Sequence, residues 1–143
     1  MQGIPDDSEP ASLAKKILIV EDSFANRDML TRRLRRRGFT VCSAADGLTG
    51  VAMSVSEMPD AILMDVALGE MDGWQATRLI KADARTARRP VIALTAHALE
   101  SDREKSVEVG CADFDTKPVD LPQFDSVVKS LRKYMLSDVV MPQ

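Results

Sequence analysis

The chain has 143 residues, room for one domain with a single core, and its 45% hydrophobic and 29% charged content is that of an ordinary globular protein. A formal net charge of −3 argues against a dedicated nucleic-acid binder, and no apolar run approaches the roughly 20 residues that cross a bilayer. The acidic opening MQGIPDDSEPASLA has no apolar stretch like that of a secretory signal. Cys42 and Cys111 form no CxxC or metal-ligand spacing, so buried, reduced thiols in a cytoplasmic protein are expected.

Residues 1–14 read as a flexible tail, 15–136 as the folded domain and 137–143 as a second tail. The first apolar run is KILIV, Lys16 to Val20, and Met29, Leu30 and Leu34 then recur at helical spacing up to Gly38, a suitable C-cap. TVCSA, Thr40 to Ala44, is a weaker strand, followed by a helix that opens after Gly47 and stops before Pro59. AILM, Ala61 to Met64, precedes a helix after Gly73 that carries Trp74, Leu79 and Ile80. VIAL, Val91 to Leu94, precedes a helix around Val107 that ends at Gly110. A fifth strand is placed at Ala112 to Thr116 on the strength of Ala112 and Phe114. Phe124, Val127, Val128, Leu131 and Met135 then predict an amphipathic last helix. The strongest runs are continuous rather than alternating, as in parallel strands buried on both faces. The β-α alternation predicts an α/β fold with helices on both sides of a five-stranded parallel sheet.

In such sheets ligands gather beyond the carboxyl ends of the strands. Those ends are polar here: Glu21 and Asp22 follow the first strand, Asp65 the third, Thr95 the fourth and Lys117 the fifth. Converging carboxylates need a cation, and oxygen ligands without Cys or His favour Mg²⁺. An aspartate can attack phosphorus, Thr95 can donate to a phosphoryl oxygen, and Lys117 suits an anionic product. Taken singly, Asp65 reads as a helix cap, Thr95 as a strand residue and Lys117 as a solvated lysine. Their joint occurrence predicts a phosphoacceptor site.

These segments resemble the receiver domains of two-component response regulators. The matching stretches are ILIVEDS at Ile17 to Ser23, ILMD at Ile62 to Asp65, ALTA at Ala93 to Ala96 and TKP at Thr116 to Pro118, and the likeness spans Lys16 to Met135. The resemblance implies a flavodoxin-like, doubly wound (βα)5 fold with strand order 2-1-3-4-5. It implies that Asp65 is the phosphorylated aspartate and that Asp22, Asp65 and the backbone carbonyl of Ala67 ligate Mg²⁺, with Glu21 acting through water. Thr95 and Phe114 would be the switch residues, with Lys117 paired to the phosphoryl group and the Lys117–Pro118 peptide cis. Phe114 also reads simply as core.

Gly69 stands where receivers commonly carry proline, which predicts a looser loop. The positions that tune dephosphorylation in the family are Ala67, which cannot orient a water, and His97, the only histidine, read mainly as pocket rim. The run RRLRRR, Arg32 to Arg37, reads as a solvated helix face with a share in partner choice, and Asn26 completes an ED-x3-N pattern. The implied partners are a histidine kinase or histidine phosphotransfer protein and a downstream effector, with no nucleic acid or membrane. A homodimer through the last two helices and the strand between them is a further expectation.

Little follows Met135, so a stand-alone regulator acting through protein contact or phosphorelay is expected, with an excised domain of a hybrid kinase or multidomain regulator as the alternative. The expectation is a switch rather than a turnover enzyme. A haloacid-dehalogenase-like phosphatase would need a second aspartate at position 67, which is Ala67. No GxGxxG or Walker loop supports a nucleotide-binding domain, and none of the key residues is lost as in a degenerate receiver.

Overall fold

The computed structural model describes residues 14–96, 99–117 and 120–140, with side chains described as far as Met135. Five strands, β1 (Lys16–Val20), β2 (Thr40–Ala44), β3 (Ala61–Asp65), β4 (Val91–Thr95) and β5 (Asp113–Thr116), alternate with five helices. The helices are α1 (Phe24–Arg36), α2 (Gly47–Ser56), α3 (Gly73–Ala82), α4 (Glu100–Val109) and α5 (Leu121–Val140). Every strand pair is parallel and the order is β2-β1-β3-β4-β5, as the resemblance implied.

The continuous apolar runs serve two cores. Ile17, Ile19, Leu63, Ile92 and Leu94 face Leu30 and Leu34 of α1 and Phe124, Val127, Val128 and Leu131 of α5. Leu18, Val20, Ile62, Met64 and Val91 face the other way, against Ala76 and Ile80 of α3. Successive strand side chains point to opposite faces, so a strand covered on both sides must be apolar at every position. The helices begin where short polar side chains cap them: Ser23 Oγ accepts from Asn26 N at 3.2 Å, Asp46 from Thr49 N at 2.7 Å and Asp72 from Gln75 N at 2.8 Å. α4 ends at Gly110 in the left-handed region, and Gly38 after α1 has a positive φ of 95°.

Several details differ from the sequence reading. Leu79 is 46% exposed, and Ala76, Thr77 and Ile80 form the buried face of α3 instead. β5 begins at Asp113 and is half-buried throughout, because it is an edge strand with one neighbour. Cys42 and Cys111 are free but only half-buried, since both stand at the margin of a core. α5 runs through Val140, into the stretch expected as a tail; beyond Pro122, which sits in the first turn where proline is tolerated, no proline or glycine interrupts it before Pro142. Among the described residues no helix is long and apolar enough to cross a membrane. Residues 1–13, His97 and Pro118, and with them the first tail, the pocket-rim reading and the cis peptide, lie outside the described residues.

Candidate functional site

The strand ends are flush. Glu21 N donates to the Ala44 carbonyl of β2 at 3.0 Å and Val66 N to the Leu94 carbonyl at 3.0 Å, and Val20 pairs with Met64, so the ends of β1, β2, β3 and β4 reach one edge together. β3 is the central strand, and Asp65 therefore ends in the middle of that edge with only 1% of its surface exposed.

Glu21, Asp22 and Asp65 meet there, each offering a carboxylate oxygen, and these atoms lie within 4.8 Å of one another. Glu21 is buried and Asp22 exposed. Lys117 Nζ stands 3.2 Å from Asp65 Oδ2 and 3.3 Å from Glu21 Oε1. Both oxygens are buried and accept no hydrogen bond from any other described group, so the Lys117 ammonium meets them as an ion pair. The other oxygens are held, Glu21 Oε2 by Ser23 N at 3.0 Å and Asp65 Oδ1 by Ala67 N at 3.0 Å. Burial, with the Asp65 charge adding to it, raises the Glu21 pKa above the ordinary carboxylate value despite the Ser23 N–H and Lys117. Burial works against the Lys117 ammonium, but the Asp65 and Glu21 carboxylates outweigh it and raise its pKa.

Three carboxylates thus face one ammonium, and two formal negative charges remain for a divalent cation to offset. The donors are all oxygen, and two of them are buried with spare acceptor capacity beyond the Lys117 ammonium, so the set fits a hard cation such as Mg²⁺.

Thr95 is buried at the end of β4, and Lys117 N donates to its carbonyl at 2.6 Å. Phe114 does not belong to either core cluster. It is half-buried on β5, and the Arg103 guanidinium of α4 lies 5.0 Å from its ring centroid. Most of the arginine run is a solvated face, with Arg32, Arg35, Arg36 and Arg37 exposed; within it Arg32 pairs with Asp28, and Arg37 pairs with Asp125 at 2.6 Å and lies 5.0 Å from the Phe124 ring centroid. Gly69 is exposed with open space around it, so nothing packs the loop at that point.

Three contributors escaped the sequence reading. Ser23 both caps α1 and holds Glu21, and Arg27 donates to the Glu21 carbonyl at 2.9 Å. Gly73 lets the start of α3 rest on the Asp65–Val66 backbone, where a Cβ would come within 2.5 Å of Val66 Cα. The polar ED-S run could have flagged Ser23, but nothing local marks the other two.

The fold and its acidic edge define a doubly wound α/β protein with a cluster of three carboxylates at the carboxyl ends of its strands. The family model for the response regulator receiver domain matches residues 17–129, and the chain belongs to that family. Receivers are signalling modules of two-component systems rather than classical turnover enzymes. The chain is 37% identical over 124 residues to the response regulator PleD of Caulobacter vibrioides, covering 87% of this chain but only 27% of that protein's length. It is 41% identical to the protein PilH of Pseudomonas aeruginosa, over 73% of this chain and 87% of PilH, and 32% identical to the polar-differentiation response regulator DivK of Brucella ovis, over 82% of this chain and 96% of DivK. Among solved structures, the receiver domain of a Pseudomonas aeruginosa sensor histidine kinase, with magnesium coordinated in its active site cleft, superimposes with a TM-score of 0.76 at 37% identity over 85% of this chain and 98% of that one. The chemotaxis protein CheY4 of Vibrio cholerae gives 0.78 at 25% identity over 85% of this chain and 98% of that one.

Proposed function

We propose that this chain accepts a phosphoryl group on Asp65 from the phosphohistidine of a histidine kinase or phosphotransfer protein. The observation that carries the reading is the pair of buried oxygens, Glu21 Oε1 and Asp65 Oδ2, that face the Lys117 ammonium and accept no hydrogen bond from any other described group. The Asp65 carboxylate attacks phosphorus, the P–N bond breaks, and its electron pair leaves with the donor imidazole. Lys117 meets the charge on the acyl phosphate, and the Thr95 hydroxyl turns toward a phosphoryl oxygen. Asp22, Asp65 and the Ala67 carbonyl would hold Mg²⁺, with Glu21 acting on it through water. When bound, the ion neutralises charge on the transferring oxygens.

Residues 15–136 form the receiver unit. Its output is a change in a partner-binding surface, with Thr95 and Phe114 as the switch pair and Ala67 and His97 tuning the phosphoryl lifetime. High coverage of PilH and DivK supports a stand-alone receiver, while the short share of PleD is the counterweight. Beryllofluoride with Mg²⁺ tests the site: it should bind the wild type and not Asp65→Asn, and equal binding to both would overturn the assignment. An immunoblot of the native protein at the chain's 15.7 kDa supports the stand-alone form, and a larger band contradicts it.

A further inference from the structure

We propose that Gln123 is a positioning residue for Lys117: from α5 it pins the peptide plane that carries the lysine into the acidic pocket. The inference rests on the role given to Lys117 above, but it has a readout of its own.

Gln123 sits in the first turn of α5. Its backbone N–H is taken by Asp120 Oδ1 at 3.0 Å, which fixes the helix start and leaves the carboxamide to reach back to β5. There Nε2 approaches Asp115 Oδ1 at 2.5 Å, Thr116 Oγ1 at 2.7 Å and the Thr116 carbonyl at 3.1 Å. A primary carboxamide has only two N–H donors, so the three acceptors share them. Asp115 Oδ1 also accepts from Thr116 N at 3.0 Å, which ties the same residue from its other side.

The Thr116 carbonyl and the Lys117 N–H belong to one rigid peptide plane. Its N–H edge donates to the Thr95 carbonyl at 2.6 Å, and its C=O edge accepts from Gln123. The plane is therefore held from β4 on one side and from α5 on the other. Its rotation would swing the Lys117 Cα–Cβ bond. With rotation blocked, only side-chain torsions are left to bring Nζ to 3.2 and 3.3 Å from Asp65 and Glu21. The restraint matters because β5 is a half-buried edge strand that packing alone holds weakly.

The test compares full-length wild type, Gln123→Ala and Gln123→Glu. Gln123 is half-exposed at a helix start, so neither change opens the core. Three quantities are read: the rate of Asp65 phosphorylation by phosphoramidate, Mg²⁺ affinity from Trp74 fluorescence, and the ¹H–¹⁵N signal of the Lys117 ammonium. Both variants should take up phosphoryl groups about tenfold more slowly, as a misplaced charge of under an ångström predicts. Mg²⁺ affinity should hold while the Lys117 signal shifts or broadens. Gln123→Glu should be the more severe, since its carboxylate cannot donate and faces Asp115. A lowered melting temperature with wild-type phosphorylation and a wild-type Lys117 signal would reduce Gln123 to a helix clamp and overturn the proposal. If the wild type itself takes no phosphoryl group, the functional reading fails and the Lys117 signal still decides: unchanged in both variants, it overturns the positioning role.

Discussion

Replacing Gly73 with alanine sets helix propensity against packing. Gly73 is the first residue of α3, where alanine would ordinarily stabilise the helix by about 0.5–1 kcal/mol. An ideal Cβ there would lie 2.3 Å from the Asp65 carbonyl oxygen and 2.5 Å from Val66 Cα, both backbone atoms, where ordinary contact begins at 3.4 Å. The start of α3 must therefore retreat by roughly 1 Å, and overpacking of that kind costs about 1–3 kcal/mol. The retreat also stretches the 3.2 Å bond from Gly73 N to the Val66 carbonyl, which buttresses the strand end. The net expectation for Gly73→Ala is a loss of about 1–2 kcal/mol and phosphorylation slowed about tenfold, because the strain falls on the Asp65 backbone. Urea unfolding followed by far-ultraviolet circular dichroism, without Mg²⁺, measures the first, and phosphoramidate labelling the second. Gly69→Ala is the control: a Cβ there meets nothing within 4 Å, so stability should hold or rise by up to about 1 kcal/mol. A Gly73→Ala protein as stable as wild type, or a Gly69→Ala protein that loses as much, would refute the reasoning.

Asp65→Asn removes one of three facing carboxylates, so without Mg²⁺ it should be more stable than wild type by about 1 kcal/mol, and added Mg²⁺ should raise its melting temperature less; an equal Mg²⁺ shift in both would contradict the ligand role. Burial pushes the Cys111 thiol up to about 11 from an ordinary 9.0. Its alkylation at pH 8 should therefore run about a hundredfold slower than in urea-unfolded chain, read by peptide mass spectrometry. Because the folded value is the higher, the stability linked to this thiol is present below pH 9.0 and lost as pH rises through about 11. Arg103→Ala removes the cation above Phe114 and should cost only about 0.5 kcal/mol in thermal unfolding, as exposed cation–π contacts do.

The strands were legible because both-face burial forces unbroken apolar runs, which KILIV, AILM and VIAL display. The polar residues that stop them could be read for the same reason. β5 was least legible, since an edge strand needs no such run and DFDT has none. The charged centre of the site followed from the strand ends, but its supports did not. Gly73 matters through an approach to Asp65 and Val66, and Gln123 through acceptors on β5. Both are distances between elements, to which a local pattern is blind. For Phe114, only the placement under Arg103 on a half-buried edge strand could not be read locally, because it depends on where α4 packs. The cysteines looked apolar enough for the core, yet both stand at its margin.

The most direct measurement is peptide mass spectrometry of the full chain after incubation with phosphoramidate and Mg²⁺, beside the same treatment without the ion. A single phosphoryl group is expected on the peptide containing Asp65, dependent on Mg²⁺ and absent from Asp65→Asn. Phosphorylation on another residue, or undiminished labelling of Asp65→Asn, would contradict it.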